Sequence, residues 1–279
     1  RVLALGAAAV LALSLTACGS SQKTETTAAA ADTTAAGSEA AADTTAASGE
    51  KTVIKLGVVG ENNEQWQPVI DKLAEENIDL ELVKFADYPL PNRALNDGEI
   101  DLNSFQHGPF LQAFNEKNGT HLVSIGNTYL APLRVYSNKI TSIKDVPDGA
   151  KVSIPNDPSN GGRALLLLDH NGLLKLKPGT DPTKATINDI AENPKKLEII
   201  ELEAAQLPRS LDDVTISVIN AGYAKSANLD SKKALATEDN TSPYVNIIAA
   251  REQDKDNPTY QKFVKIFQSD NVRKYINDN

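Results

Sequence analysis

From residue 53 onward, apolar positions follow two alternating rhythms. Val53 to Val59 is β-branched and almost continuously apolar, which predicts a buried parallel strand. Glu64 to Glu76 then places Trp66, Val69, Ile70, Leu73 and Ala74 at helical spacing. Leu80 to Phe85 alternates and predicts a second strand. A short helix is predicted from Asn92 to Asp97, closed by Gly98. Glu99 to Leu102 starts a third strand, Pro109 to Asn115 predicts a helix, and Leu122 to Ile125 a strand. This βαβα order predicts right-handed crossovers and a largely parallel sheet.

Tyr129 to Ser137 is long and extended, with Pro132 inside it, and predicts a crossing into a second lobe. There the pattern gives a strand at Lys151 to Ile154, a helix from Ser159 to Gly172, a strand at Leu197 to Leu202, a short helix at Glu203 to Leu207 and a strand at Val214 to Ile219. Between them, Lys175 to Pro194 is rich in Pro and Lys, with a helix predicted at Ile187 to Glu192. Tyr244 to Ala250 predicts a returning strand. Two helices follow, Pro258 to Gln268 and Asn271 to Asn277. The pattern is α/β in two lobes, residues 51–132 with 243–279, and residues 133–242. In such sheets a ligand lies beyond the carboxyl ends of the strands.

The chain before residue 51 is of another kind. Residues 1–18 form an apolar run with Arg1 in front, whose stretch from Val2 to Leu15 is shorter than the about 20 residues a spanning helix needs, and predict a signal peptide. The chain has no Met, so the true start of the precursor is expected to lie upstream. Leu15-Thr16-Ala17-Cys18 resembles a bacterial lipobox, so Cys18, the sole cysteine, is expected to be lipidated and to anchor the protein to a membrane. The competing reading is a lone buried Cys. Residues 19–50 hold nothing apolar larger than Ala and cannot offset their ordering entropy. They predict a flexible tether that reaches about 30 Å as a coil.

Net charge is −9, and −6 over residues 51–279, where 26 basic residues face 32 acidic ones. An acidic body without a Lys/Arg cluster speaks against nucleic acid as a partner. The three His residues lack metal-ligand spacing. No phosphate loop, GxGxxG or G-x-S-x-G motif is present, so neither a cofactor nor catalysis is expected.

Pro155 to Ala164 (PNDPSNGGRA) carries the strongest binding signal. A strand ends there, and a helix starts at Pro158 and Ser159 with free first-turn amides and the positive end of its dipole. Arg163 sits one turn in, and its fork can grip a carboxylate with two bonds. The competing reading is a surface Arg on an ordinary connection. After the third strand come Phe105, His107 and Phe110; with Tyr88 they are candidates for an aromatic box around an apolar side chain. The alternative makes both Phe residues core and His107 a helix cap. Asn220, at the end of a strand, and Asn246, inside one, are candidates to bond the polar end of an amino acid. A turn or cap residue competes for Asn220, and a solvent-facing edge position for Asn246.

Four stretches together resemble the NlpA/MetQ family, methionine-binding lipoproteins of ABC importers: FADYPLPNRALNDGEIDLNSFQHGPFL (85–111), PNDPSNGGRALLLL (155–168), EAAQLPRSLDDVTISVINAGYA (203–224) and PYVNIIAARE (243–252). The resemblance implies a two-lobed periplasmic-binding-protein fold, type II-like, with a hinge and a ligand cleft between lobes. It implies a lipid-anchored protein on the extracytoplasmic face of the cell membrane that hands methionine to an ABC permease and its ATPase. By motif, Arg163 would bind the carboxylate, Asn220 and Asn246 the polar end, and Tyr88, Phe105, His107 and Phe110 the side chain. One turn departs from the family: Gly60 to Trp66 reads GENNEQW where many members have Gly-Pro-His. That leaves another amino acid, or a methionine-containing dipeptide, as alternatives. An enzyme on the same scaffold and a surface adhesion or signalling lipoprotein are the rivals of other classes.

Overall fold

The computed structural model describes residues 51–239 and 243–278. The signal-type run, Cys18 and the tether of residues 19–50 lie outside the described residues. The first elements are β1 (Thr52–Val59), α1 (Gln67–Ala74), β2 (Ile78–Phe85), α2 (Pro89–Asp97), β3 (Leu102–Asn103), α3 (Gly108–Asn118) and β4 (Leu122–Leu130). Next come β5 (Arg134–Tyr136), β6 (Lys151–Pro155), α4 (Pro158–His170), β7 (Lys175–Leu176), β8 (Ile190–Glu192), β9 (Glu198–Leu202), β10 (Ile216–Ile219), α5 (Ala221–Ser226) and β11 (Ala236–Thr237). The chain ends with β12 (Val245–Arg251), α6 (Pro258–Phe267) and α7 (Asp270–Asp278).

Two five-stranded sheets result, ordered β2-β1-β3-β12-β4 and β11-β5-β10-β6-β9. Each is mixed, which corrects the expectation of a largely parallel sheet. In the first, β1 is parallel to β2 and β3, while β12 is antiparallel to β3 and β4. In the second, β6 is parallel to β9 and β10, while β5 is antiparallel to β10 and β11. The cause is the double crossing between sheets. β4 carries the chain out of the first sheet and β12 carries it back, so the two run in opposite directions. The same holds for β5 and β11 in the second.

Three local expectations change. The helix predicted over Glu64 to Glu76 opens as a 3-10 turn, Glu64–Trp66, before α1 begins at Gln67. The short helix after Leu202 is a 3-10 segment, Ala204–Asp212, with Pro208 inside it; a proline cannot supply the amide an α-helix would need there. Residues 175–194 form the antiparallel pair β7–β8 with only a 3-10 turn at Ile187–Asp189.

Apolar cores follow the two sheets. Trp66 stacks on Phe263 at 5.9 Å and tilts against Phe267 at 5.0 Å, joining the turn before α1 to α6 over one face of the first sheet. Leu95, Leu111 and Phe114 of α2 and α3 cover the other face with Ile247 and Ala249. In the second sheet Leu165, Leu167 and Leu168 of α4 pack on Val152, Ile154 and Val218. Leu207, Leu211 and Tyr223 pack on its opposite side, and Val59 at the end of β1 and Tyr88 before α2 join that cluster. The carboxyl ends of β1, β3, β6 and β10 feed a common region.

Candidate ligand-binding site

In that region a cavity of about 220 Å³ is lined by Tyr88, Phe105, His107, Phe110, Arg163, Asn220 and Asn246. All seven residues singled out from the sequence therefore share one cavity. Asn62, Gln65, Tyr129, Asn160, Tyr223 and Lys225 complete much of its wall.

The loop after β3 is held by a buried set of amides. Asn92 donates to Gln106 Oε1 at 2.8 Å, Gln106 donates to Asn103 Oδ1 at 2.9 Å, and Asn103 donates to Asn92 Oδ1 at 2.9 Å. Ser104 adds a bond to the Ile247 carbonyl at 3.0 Å. A closed set of buried amides fixes its members because breaking one strands the others. This loop presents Phe105 and His107 to the cavity.

His107 does two things. Its Nδ1 accepts the Phe110 amide at 3.2 Å and so caps α3. With that nitrogen an acceptor, the proton sits on Nε2, which donates to Asn160 Oδ1 at 3.1 Å. Burial, and then the nearby Arg163, push the His107 pKa down to about 3, so the ring is neutral at ordinary pH.

The tip of α4 is not free. Asp157 is the cap: its carboxylate accepts the Asn160 amide at 2.9 Å and the Ser159 hydroxyl at 2.9 Å. The anion that the helix tip favours is thus the protein's own, a correction to the guest carboxylate expected there. Burial raises the Asp157 pKa against those hydrogen bonds.

Arg163 is almost wholly buried, with its side chain 2% exposed. Its Nε donates to Glu238 Oε1 at 2.7 Å, and its Nη2 donates to the Ala131 carbonyl at 3.0 Å and to Glu238 Oε2. The guanidinium also lies over the Tyr244 ring, 4.6 Å from its centroid, a favourable cation–π placement. Asn220 donates through Nδ2 to Asn160 Oδ1 at 3.0 Å, while its own Oδ1 is buried with no hydrogen-bond partner among the described residues. Tyr88, Phe105 and Phe110 form a cluster with centroids 5.6–5.9 Å apart, and Tyr223 lies 4.8 Å from Tyr88. Burial holds the Tyr88 phenol well above its usual range.

Two residues that brace the candidate side chains, Asn160 and Glu238, have no counterpart among the sequence candidates. Asn160 lies within the quoted PNDPSNGGRA stretch, two residues ahead of the second glycine, and links His107, Asn220 and Asp157. Glu238 follows β11 in a stretch that reads as exposed acid. The departing turn does face the cavity, through Asn62, Asn63, Glu64 and Gln65. Among the described residues no group of three metal-ligating side chains is present, and no helix is long and apolar enough to cross a membrane.

The model of a family described as NlpA lipoprotein matches residues 54–279. A relative from Vibrio cholerae serotype O1, named a probable D-methionine-binding lipoprotein MetQ, is 49% identical over 224 residues, 79% of this chain and 83% of the relative. A solved nutrient binding protein from Burkholderia cenocepacia bound to methionine is 52% identical, with a TM-score of 0.76 over 80% of this chain and 95% of that one. The solved substrate binding protein of a methionine transporter from Streptococcus pneumoniae is 39% identical, with a TM-score of 0.76 over 81% and 92%.

Proposed function

The chain belongs to the NlpA lipoprotein family, and from that membership we propose that it is a solute-binding protein that takes methionine and hands it to an ABC importer. The observation that carries this reading is the pairing, in one cavity, of a buried guanidinium and an unpartnered buried amide oxygen with three clustered aromatic rings. An amino acid with an apolar side chain has the matching set: a carboxylate, an ammonium and a hydrophobic arm. In this reading Arg163 turns its remaining Nη1 to the carboxylate, Asn220 and Asn246 bond the polar end, and Tyr88, Phe105, His107 and Phe110 enclose the thioether. Sulfur beside aromatic rings adds about 0.3–1.5 kcal/mol per contact.

The cavity's size supports a single amino acid over a dipeptide. At about 220 Å³ it is smaller than the roughly 300–1,000 Å³ of sites for drug-sized ligands. Binding without turnover agrees with the site, whose candidate nucleophiles and bases are committed elsewhere: His107 caps a helix and Asp157 caps another. The lobes, residues 51–132 with 243–279 and residues 133–242, hinge about the crossings that join the two sheets, and a guest favours the closed form by its differential affinity. Lipidation of Cys18 holds the protein on the extracytoplasmic face of the cell membrane, with residues 19–50 as a tether that lets it reach its permease and ATPase.

Calorimetric titration of the purified protein with L- and D-methionine tests the reading. Saturable binding of at least one enantiomer is expected. Heat from neither, with native mass spectrometry showing no resident amino acid, would refute it.

A further inference from the structure

The buried amide of Asn160 sits where three side chains converge, and its orientation determines what the cavity presents. Its Nδ2 donates to both oxygens of Asp157, at 3.1 and 3.0 Å. Its Oδ1 accepts from His107 Nε2 at 3.1 Å and from Asn220 Nδ2 at 3.0 Å. The reverse orientation would press the Asn160 carbonyl on the Asp157 carboxylate and its NH₂ on two other N–H donors. Asp157 therefore imposes one orientation, and each donor that reaches Asn160 Oδ1 is fixed in turn.

The consequence falls on Asn220. With its NH₂ turned to Asn160, its carbonyl oxygen is left buried in the wall that Asn220 contributes to the cavity, without a partner among the described residues. Asn220 is itself only 7% exposed. A buried acceptor without a donor is costly, so the site is complete only when a guest brings an N–H or O–H to it. Turned the other way, Asn220 would offer donors and would oppose an ammonium.

We infer that Asn160, held by Asp157, is a positioning residue that orients the Asn220 amide so that the pocket selects a guest with an α-ammonium over the same acid without one. The inference rests on the methionine reading above and adds to it the source of selectivity for the amino group. Asn160 acts through Asn220 and needs no contact with the guest.

The test compares methionine with its des-amino analogue, 4-(methylthio)butanoate, by calorimetry on the wild type and on Asn160→Leu. The wild type is expected to prefer methionine by at least about a hundredfold, since sites built to bond a polar group reject analogues that lack it. In Asn160→Leu methionine affinity should fall at least about tenfold, with the analogue changed by less than about threefold, so the preference shrinks. A carboxylate at position 220 accepts at both ends and needs no orienting partner, so Asn160→Leu with Asn220→Asp should regain the preference. Should Asn160→Leu fail to fold by circular dichroism, Asn160→Ser carries the same comparison. Equal weakening of both ligands would overturn the positioning role and leave the methionine reading standing. Failure of the wild type to bind methionine would overturn the reading itself.

Discussion

His107 Nε2 lies 3.1 Å from Asn160 Oδ1 and joins the loop after β3 in the first sheet to the first turn of α4 beside the second. The bond spans the cavity, so the cavity walls meet through neutral groups. Two further bonds cross between the same halves: Tyr223 donates to the Ala86 carbonyl at 3.3 Å, and Asn62 to the Lys225 carbonyl at 3.2 Å. These three hydrogen bonds link the two halves around the cavity.

Burial of the same imidazole gives the fold a pH dependence of known sign. An unfolded imidazole titrates near 6.5, and in the fold burial and Arg163 hold His107 to about 3. The unfolded chain thus binds more protons between those values, so stability rises with pH across that window and is lost as pH falls through it. The slope is at most about 1.4 kcal/mol per pH unit. Asp157 works the other way, because its raised pKa makes the folded state the better proton binder. Comparing His107→Gln with wild type in urea at about pH 4 and about pH 7.5 cancels that background. The variant should lose less stability on acidification; an identical loss would remove His107 as the cause.

Much of this site was legible in the sequence because its parts are local. Arg163 one turn into a helix, and Phe105, His107 and Phe110 just past a strand, follow from periodicity and from where ligands lie in open α/β sheets. What was not legible depends on long-range convergence. Nothing near Glu238 marks it as the partner of an arginine 75 residues away, and Asn160 shows its role only once His107 and Asn220 reach it from separate strands. The cap was partly readable: an Asp before Pro-Ser is a strong helix start, and it occupies the anion position that the pattern offered to a guest. Sheet direction was missed because the pattern marks where the chain crosses and returns but not which way those strands run beside their neighbours, β12 being antiparallel to β3 and β4.

The partnership of Arg163 with Glu238 separates a structural role from a binding one. Arg163→Ala would take the guanidinium away from a Glu238 carboxylate that is only 12% exposed, leaving the Leu133 amide at 3.1 Å among its partners, a change that costs up to about 3–5 kcal/mol. It should also weaken methionine at least about tenfold, from about 1.5–3 kcal/mol for a hydrogen bond to a charged group. Replacing both partners, Arg163→Leu with Glu238→Leu, should recover most of the stability in urea but none of the binding by calorimetry. A double variant that binds like wild type would show that the guanidinium serves only the fold.

Gly161 and Gly162 precede Arg163 for packing reasons and not to cradle a phosphate. A Cβ on Gly162 would meet the Pro182 carbonyl oxygen at 2.2 Å and the Ala185 amide nitrogen at 3.0 Å, both backbone atoms that cannot swing aside. Gly162→Ala should therefore destabilise by about 1–3 kcal/mol through overpacking. Gly108, at the start of α3, has nothing within 4 Å of such an atom, and Gly108→Ala should be neutral or stabilise by up to about 1 kcal/mol. Paired urea titrations check the contrast, and equal midpoints for the two variants would discount the close approach.

The three rings of Tyr88, Phe105 and Phe110 predict that the site reads sulfur, beyond reading hydrophobicity. Norleucine has a methylene where methionine has its sulfur, so the two bury similar apolar area and differ mainly in the sulfur–ring contact. At about 0.3–1.5 kcal/mol per contact, the wild type should prefer methionine by roughly two- to tenfold or more. Phe105→Leu and Phe110→Leu keep an apolar wall but remove a ring face. Each should lower methionine affinity more than norleucine affinity, so the ratio drifts toward one while norleucine changes little. Competitive calorimetry of the two amino acids measures that ratio directly. A ratio that stays at its wild-type value in both variants would mean that the rings shape the cavity without recognising the thioether, and that selectivity must arise from the turn at Asn62 to Gln65, which faces the same space.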